Sequence, residues 1–353
     1  MYLTCRIVLK TDENSSRILS IMANFYRNEV NRLINLYAKS NQIVRTSYSE
    51  FSSFIPFWSK SMVVKDAERI WTLIQQGGNA RLRMKTPQCC WHQPNFKFRD
   101  HQLYLQVGGR FGIGDYLIIS YHAGELQQRY LKFPLGKMTI RKLNKRWIAD
   151  INVEVMEKTP SRSEKRMGVD LGIKVPAVAY TEDGKIRFFG NGREARFRRN
   201  AFYSKLKKLQ KSNDLKAYRA LDHALFRWSY TVCHIISKRI VEFAEKNDIG
   251  VICVEQLHGI SSKPVSSSLA RRDLNQWSHY RLVYNIRYKA RRKGIRVVFV
   301  DPRNTSRRCP RCGRINTPSR RWYCCPCGFQ RHRDLIGAMN ITFAPESASS
   351  RSG

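Results

Sequence analysis

Two closely spaced cysteine pairs limit what one segment of this sequence can fold into. Cys309 and Cys312 form the first pair and Cys324 and Cys327 the second, with a glycine directly after each pair and eleven residues between Cys312 and Cys324. Four thiolates bind a tetrahedral zinc ion, and a glycine permits the tight turn that brings both sulfurs of a pair to one ion. The spacing therefore predicts a structural zinc ribbon with these four cysteines as ligands.

A fifth cysteine, Cys325, lies inside the second pair. It could replace Cys324 in a strained alternative, but only Cys324 keeps the two-residue gap to Cys327, so the spacing favours Cys324. A disulfide framework is a weaker alternative, because the other cysteines have mostly apolar neighbours, as buried free thiols do. These are Cys5, Cys89, Cys90, Cys233 and Cys253.

The charge of the chain indicates the kind of partner. Lysine and arginine number 64 against 27 acidic residues, which gives a formal net charge of +37. The cations are spread along the whole sequence, so we expect several phosphate-binding surfaces and a nucleic acid as partner. A membrane protein is the competing idea, but no apolar run approaches the roughly eighteen residues of a spanning helix. Thiol-held zinc fits a reducing interior, and we expect a prokaryotic cytoplasmic protein that is nucleoid-associated when on DNA.

The spacing of the hydrophobic residues divides the first half of the chain into predicted strands and a predicted helical stretch. Residues 1–10 alternate in polarity, and residues 147–155 do so more clearly, with one apolar face. Between them, a helical stretch precedes further alternating segments. This pattern predicts a small β-barrel whose first strand is residues 1–10, with the early helices as an insertion.

Three acidic residues lie in unusual surroundings. Asp170 is placed between Val169 and Leu171 in an apolar run, and Glu255 ends the continuous apolar strand that begins at Gly250. Burying a carboxylate is costly unless a metal or another partner neutralises it. Asp170 taken alone could be a turn residue at a strand end. Glu255 lies where open α/β sheets keep their chemistry, at the carboxyl end of a central strand.

Asp334 precedes a short helical run, where helix capping is the common role of an aspartate. Taken together with Asp170 and Glu255, it instead predicts three carboxylates that converge on one point. Such oxygen ligands suit Mg²⁺ or Mn²⁺. Two such ions can activate a water and stabilise the leaving 3′ oxygen of a phosphodiester.

Two helical segments separate Asp170 from Glu255. The segment 193–211 is strongly cationic with interspersed aromatic residues, and we expect it to lie against phosphates. A long helix then runs from Leu215 to Lys246, with a predicted core stripe of Leu221, Leu225, Trp228, Val232, Ile235, Ile240 and Phe243. We interpret His234, beside this stripe, as a packed histidine.

The order of these motifs resembles a known family. Met167 to Ile173 (MGVDLGI), Val254 to Leu257 (VEQL), the two Cys-x-x-Cys-Gly knuckles and Arg333-Asp334-Leu335 with Asn340-Ile341 occur in the order seen in TnpB proteins of IS200/IS605 and IS607-type transposons. These proteins are compact relatives of Cas12 effectors. The resemblance covers residues 137–341 well and the amino-terminal part only in general pattern. Ile336 and Gly337 depart from the Asn and Ala that the family commonly has.

The resemblance implies an α/β fold with an RNase H-like RuvC domain. It divides the chain into a wedge β-barrel (1–10 and 95–158), a helical recognition insertion (11–94), the RuvC nuclease domain (161–304 and 331–353) and an inserted zinc ribbon (305–330). It further implies a guide RNA, called ωRNA or reRNA, and cleavage of target DNA beside a short adjacent motif.

The resulting hypothesis is an RNA-guided DNA endonuclease in which Asp170, Glu255 and Asp334 are catalytic and bind Mg²⁺ or Mn²⁺, while Cys309, Cys312, Cys324 and Cys327 bind Zn²⁺. Base pairing would read most of the target. We expect one protein per RNA, with a dimer left open. All three acidic positions are filled, which argues against the alternative of a cleavage-deficient RNA-guided repressor. An RNase H-like transposase that acts without RNA is the other alternative, and the source of the guide, a transposon or a CRISPR array, stays open.

Overall fold

The computed structural model describes residues 1–77, 79, 82–108, 110–172, 175–256, 279–317 and 322–347. The chain divides into two compact units, Met1–Met156 and Glu157–Gly353. Ile173 and Leu257 of the motifs quoted above lie outside the described residues, as do residues 348–353.

A seven-stranded antiparallel sheet forms the first unit, in the order β2-β6-β7-β1-β5-β4-β3. Its strands are β1 (Tyr2–Lys10), β2 (Gln88–Trp91), β3 (Phe96–Arg99), β4 (Gln102–Gln106), β5 (Tyr116–His122), β6 (Leu135–Leu143) and β7 (Arg146–Glu154). The alternation that predicted β1 and β7 is confirmed, since Ile7 pairs with Ala149 and both are buried. On the opposite face, the Asp150 carboxylate forms salt bridges with Arg6 at 2.6 Å and with Arg141 at 3.2 Å.

The sheet is a curled half-barrel, whereas the sequence predicted a barrel. Closure would require the two edge strands to pair, but among the described strands β2 pairs with β6 and β3 pairs with β4. Strand β2 also falls within the segment 11–94 that was assigned to the helical insertion. Its residues Cys90 and Trp91 are buried in the core, so this part of the segment belongs to the sheet.

Helices α1 (Glu13–Ser40) and α2 (Phe57–Gln75) pack against each other and share the core of the first unit. Helix α1 begins after Asp12, whose carboxylate accepts a hydrogen bond from the Ser15 amide at 2.8 Å. The short helix α3 (Glu125–Tyr130) follows β5. Buried Asp66 of α2 accepts hydrogen bonds from the Tyr26 hydroxyl at 2.9 Å and from Lys137 at 3.2 Å, so its charge is compensated within the unit.

The second unit contains a mixed five-stranded sheet in the order β10-β9-β8-β11-β12. Strands β8 (Arg166–Asp170), β9 (Ala177–Thr181) and β10 (Ile186–Phe189) are antiparallel, while β11 (Val251–Glu255) lies parallel to both β8 and β12 (Arg296–Val300). Residues 251–254 of β11 are all buried, as the continuous apolar run predicted. This arrangement sets the carboxyl ends of β8 and β11 side by side.

Helices cover both faces of this sheet. Helices α5 (Leu215–Lys246) and α6 (His279–Arg291) pack on one face, where Ile236, Ile240 and Leu282 meet Met167 and Ile252. Helix α7 (Arg333–Phe343) packs on the other face, where Ile341 meets Val251 and Cys253 and where Leu335 and Ala338 meet Val178. The central strands are therefore buried on both sides, which explains their apolar sequence.

Two smaller parts complete the second unit. Helix α4 (Gly192–Lys211) exposes most of its cations and buries Ala195, Arg199 and Leu206. The hairpin of β13 (Trp322–Cys324) and β14 (Gln330–His332) precedes α7. Across the described ranges, no helix has both the length and the apolar character needed to cross a bilayer.

Candidate metal centres

The five-stranded sheet positions the first candidate centre. Asp170 is the last residue of β8 and Glu255 the last residue of β11, so both carboxylates emerge at the same edge of the sheet. Asp334 lies in the first turn of α7, whose N-cap is His332. Asp334 is therefore not the helix cap that its position in the sequence also allowed. The structure brings all three predicted carboxylates to one region.

The electrostatics of this trio are dominated by burial and like charge. Burial, together with the carboxylates of Glu255 and Asp334, raises the pKa of Asp170 well above its usual range, and Arg333 opposes the rise. Burial also raises the pKa of Glu255. A partly buried site with several carboxylates favours a bound cation. The cation offsets both the cost of burying negative charge and the repulsion between the carboxylates. The donor set consists of oxygens, which fits Mg²⁺ or Mn²⁺.

Thr305 belongs to this centre, a role that the sequence analysis did not assign to it. Its hydroxyl donates a short hydrogen bond to Oε1 of Glu255, which lowers the Glu255 pKa and so partly offsets the effect of burial. The backbone around Thr305 is itself fixed, because the Asn340 amide donates to the carbonyls of Thr305 at 2.6 Å and Arg308 at 2.8 Å. Helix α7 thereby holds in place the loop that orients Glu255.

Gly337 explains how α7 comes so close to Asp170. A Cβ atom at this position would lie 2.6 Å from Oδ2 and 2.8 Å from Cγ of Asp170. Neighbouring Ile336 points elsewhere and packs with the cysteine cluster described below. The two residues that depart from the family pattern therefore contact the two different candidate centres.

The second candidate centre is a cluster of four cysteines. The sulfur atoms of Cys309, Cys312, Cys325 and Cys327 all lie within 4.8 Å of one another. The Cys309–Cys327 and Cys312–Cys325 sulfurs are separated by 3.7 and 3.5 Å. A tetrahedral zinc site with bonds of about 2.3 Å has sulfur–sulfur edges of roughly 3.8 Å, so the cluster fits the ion. Among the described residues, the ligand atoms of Asp170, Glu255 and Asp334 do not all lie within the 4.8 Å that separates these four sulfurs at most.

This cluster differs from the prediction in one ligand, because it contains Cys325 in place of Cys324. Strand β13 alternates, so Tyr323 is fully buried while Trp322 and Cys324 face outward. Cys325 is the next residue directed inward, and the Asn316 side chain donates to its sulfur at 3.3 Å. Hydrogen bonding, first from the backbone of Cys327, lowers the pKa of Cys325 to about 6 and favours its thiolate. Despite a hydrogen bond from the Phe329 backbone, burial and the neighbouring thiols raise the pKa of Cys327 to about 11, so the two thiols divide one negative charge between them.

The fold and these centres define a mixed α/β protein of two compact units, the second of which contains both candidate metal centres. In fold, the chain is similar to the protein in a cryo-EM structure of a Cas12f1–sgRNA–target DNA complex, with a TM-score of 0.68 at 15% identity over 93% of this chain and 82% of that one. Residues 279–341 match the family model of the Cas12f1-like TNB domain. This matched segment contains α6, the cysteine cluster and Asp334.

Sequence relatives narrow the group further. The CRISPR-associated endodeoxyribonuclease Cas12f1 of Sulfoacidibacillus thermotolerans is 28% identical over 215 residues, which is 56% of this chain and 50% of the relative. A TnpB-like protein of Methanocaldococcus jannaschii is 31% identical over 110 residues, which is 31% of this chain and 40% of the relative. The chain thus spans half or less of these curated relatives. The predicted resemblance is confirmed: this chain is a compact relative of TnpB and Cas12f1-like proteins.

Proposed function

We propose that the chain is an RNA-guided DNA endonuclease that hydrolyses phosphodiester bonds at the Asp170–Glu255–Asp334 centre. The observation that carries this proposal is the convergence of three carboxylates, two of them at the ends of adjacent parallel strands and one on α7. The mixed sheet that presents them supports an RNase H-like RuvC domain. The relatives named above include endodeoxyribonucleases, and the solved Cas12f1 is in complex with sgRNA and target DNA.

In this proposal Asp170, Glu255 and Asp334 would hold Mg²⁺ or Mn²⁺, which supplies charge stabilisation and an activated water. Thr305 orients Glu255 and α7 positions Asp334 for that role. The filled trio favours cleavage over a repressor function. The net charge of +37 supports guide RNA and target DNA as partners.

Sequencing the RNA that co-purifies with the protein tests RNA guidance. The protein is expressed together with its native flanking DNA, and the bound RNA is sequenced. We expect a discrete RNA with a constant scaffold and a variable segment, and cleavage of a plasmid that matches that segment. Heterogeneous cellular RNA, or cleavage that persists after RNase treatment, would contradict guidance and favour a transposase.

We further propose that zinc is bound by Cys309, Cys312, Cys325 and Cys327. Replacement of Cys325 by Ser should reduce the zinc content from one ion per chain to well below one and lower the melting temperature. Replacement of Cys324 by Ser, the adjacent control, should leave both unchanged, because Cys324 faces outward. Metal content is measured by mass spectrometry after dialysis. If Cys324→Ser loses zinc instead, Cys324 rather than Cys325 is the zinc ligand, as the spacing predicted.

Removal of the Thr305 hydroxyl should shift the pH dependence of cleavage. In Thr305→Val, Glu255 loses the hydrogen bond that lowers its pKa, so a smaller fraction is ionised at any given pH. The acidic limb of the rate profile is expected to move up by about one pH unit, since a hydrogen bond to a charged group is worth about 1.5–3 kcal/mol and one unit corresponds to about 1.4 kcal/mol.

Single-turnover cleavage at fixed Mg²⁺ across pH measures this shift. Thr305→Ser keeps the hydroxyl and should retain the wild-type profile. Coincident profiles for the Val variant and the wild type would show that Thr305 does not tune Glu255.

A further inference from the structure

Helices α5 and α6 present a continuous series of aromatic rings that the carboxylate centre does not use. On α5 the rings recur every four residues at Phe226, Tyr230 and His234, and on α6 they recur at Tyr280, Tyr284 and Tyr288. We call these six side chains the aromatic ladder. The i, i+4 spacing places the members of each set along one face of their helix.

Five of the six rings of the ladder lie within contact distance of a neighbouring ring in the series. The ring centroids of Phe226 and Tyr230 are 6.4 Å apart and nearly parallel, at 19°. Those of Tyr230 and His234 are 4.3 Å apart. The series crosses to the second helix between His234 and Tyr288 at 6.4 Å and continues to Tyr284 at 5.9 Å. Five rings therefore form one connected surface across two packed helices.

Several rings of the ladder are largely exposed. Tyr280 is 84% exposed, Tyr284 59%, Phe226 53% and Tyr230 46%. The core of the same helices is made by other residues, among them Cys233, Ile240 and Leu282. These aromatic rings are thus not required for packing the unit, and an exposed aromatic surface of this kind marks a binding site.

Positive charge accompanies the rings. The Arg281 guanidinium lies 4.5 Å from the Phe226 ring centroid and 5.7 Å from that of Tyr230. Lys289 lies 5.7 Å from the Tyr288 ring. The acidic residues of α5 lie at the margins: Asp222 is one turn before Phe226, Glu242 is paired with Lys238 at 3.6 Å, and Glu245 is paired with Lys293 at 2.7 Å. Rings combined with cations suit a polyanion whose bases are free to stack.

We propose that the aromatic ladder binds unpaired DNA by stacking its bases on Tyr280, Tyr284, Phe226 and Tyr230. Stacking requires bases released from a duplex, and phosphates would meet Arg281. The commitment to DNA rests on the proposed function, because the ladder lies in the same compact unit as the carboxylates that would hydrolyse a DNA strand. The ladder would hold a separated strand independently of the metal.

Fluorescence anisotropy with a labelled twenty-nucleotide oligo-dT tests this proposal on the full chain, with its zinc retained and no Mg²⁺ or Mn²⁺ added, so that hydrolysis is not supported. The double variant Tyr280→Leu/Tyr284→Leu should weaken binding at least roughly tenfold, since each stacked base contributes about 1–3 kcal/mol and about 1.4 kcal/mol is tenfold in affinity. The Tyr→Phe double variant keeps both rings and should bind normally. Phe188→Leu removes an exposed ring of β10, outside the ladder and outside α4, and should also bind normally.

Two further readouts separate stacking from other roles. The slope of affinity against salt should be unchanged in the Leu variant, because no cation is removed. Oligo-dT carrying 5-iododeoxyuridine should photocrosslink to peptides that contain 226–234 or 280–288. Equal oligo-dT affinity of the Leu variant and wild type, an effect confined to oligo-rU, or a change of oligomeric mass in place of DNA affinity would each overturn the proposal. Because neither a guide nor added Mg²⁺ is present, these results are independent of whether the chain cleaves DNA.

Discussion

Replacement of Asp170 by Asn is expected to abolish DNA cleavage and, at the same time, to stabilise the metal-free protein. Cleavage should fall at least a hundredfold, the scale seen when a preorganised charge-stabilising group is lost. The stabilisation has a separate cause. Asp170 is half-buried, and its surroundings, with Glu255 and Asp334 nearby, raise its pKa and so disfavour its charge. The amide has a similar shape and no charge to repel.

The sign of the pH dependence follows from the direction of the pKa shift. Below about pH 4, the ordinary pKa of an aspartate, Asp170 is protonated in both the folded and the unfolded chain, so it costs nothing. At higher pH the unfolded chain ionises freely while the folded chain either keeps the proton or carries a repelled charge. The advantage of Asn should therefore be small at pH 4 and largest near pH 8. One kcal/mol corresponds to about 2–4 °C in melting temperature for a unit of this size.

Magnesium should raise the melting temperature of the wild type above that of the Asp170→Asn variant. A cation that binds only the folded state stabilises it by mass action, so Mg²⁺ should raise the melting temperature of the wild type and affect the Asn variant much less. Asp183→Asn is a matched control on a hairpin of the same sheet. Hydrogen bonds from Thr181 and Lys165 lower the Asp183 pKa, so its replacement should destabilise the protein and leave cleavage intact. A metal-free Asp170→Asn protein that melts below wild type at pH 8 would contradict the repulsion argument.

The structure also shows how the two candidate centres depend on one helix. Helix α7 contributes Asp334 to the carboxylate centre, and through Asn340 it holds the loop of Thr305, which contacts Glu255. Ile336 of the same helix packs with Cys309 and Cys325. A ribbon that is folded by zinc would therefore support the position of α7. We expect zinc loss to impair cleavage through displacement of this helix.

The sequence predicted those features that depend on neighbouring residues along the chain. The alternation of β7, the buried β11 ending at Glu255 and the cysteine-rich hairpin all follow from local patterns. Asp170, Glu255 and Asp334 were individually ambiguous, and only their order and the family resemblance linked them. The structure adds that β8 and β11 are adjacent and parallel, which local pattern alone did not establish.

Features that depend on contacts across the fold were missed or predicted differently. The spacing favoured Cys324, but the direction of β13 puts Tyr323 and Cys325 inside. On α5 the predicted stripe is right at Val232 and Ile240, which pack in the core, but it misses Cys233 and Ile236, which are buried. Ile235 of the predicted stripe is 47% exposed. Thr305 is fifty residues from Glu255 in sequence, and no local signal connects them. Polarity patterns do not specify which side of an element meets which neighbour.

Gly168→Ala is expected to be among the most damaging single-methyl changes in the second unit. A Cβ atom on Gly168 of β8 would lie 2.2 Å from the Ala338 carbonyl oxygen, 2.4 Å from the Thr342 amide nitrogen and 2.6 Å from the Thr342 hydroxyl. Two of these atoms belong to the backbone of α7, so a side-chain rotation cannot relieve the clash.

Hydrogen bonds reinforce this contact. The Thr342 hydroxyl accepts from the Gly168 amide at 3.0 Å and can donate to the carbonyls of Ala338 at 2.8 Å and Tyr180 at 3.0 Å. Helix α7 would have to move away from the sheet, breaking the bonds of Thr342 to Gly168 and Tyr180 and carrying Asp334 away from Asp170. Overpacking costs about 1–3 kcal/mol, and the two lost hydrogen bonds add about 1 kcal/mol each. The melting temperature should fall by roughly 6–20 °C.

Cleavage measured well below the melting temperature distinguishes displacement of α7 from simple instability. We expect Gly168→Ala to cleave at least tenfold more slowly even when fully folded by circular dichroism, because Asp334 no longer meets its partners. Gly136→Ala is the matched control, since it also lies in a strand but its Cβ would meet nothing closer than 3.6 Å. That variant should melt within about 2 °C of wild type, as surface-like substitutions do. Wild-type stability and cleavage in Gly168→Ala would mean that α7 does not need its close contact with β8 to complete the carboxylate centre.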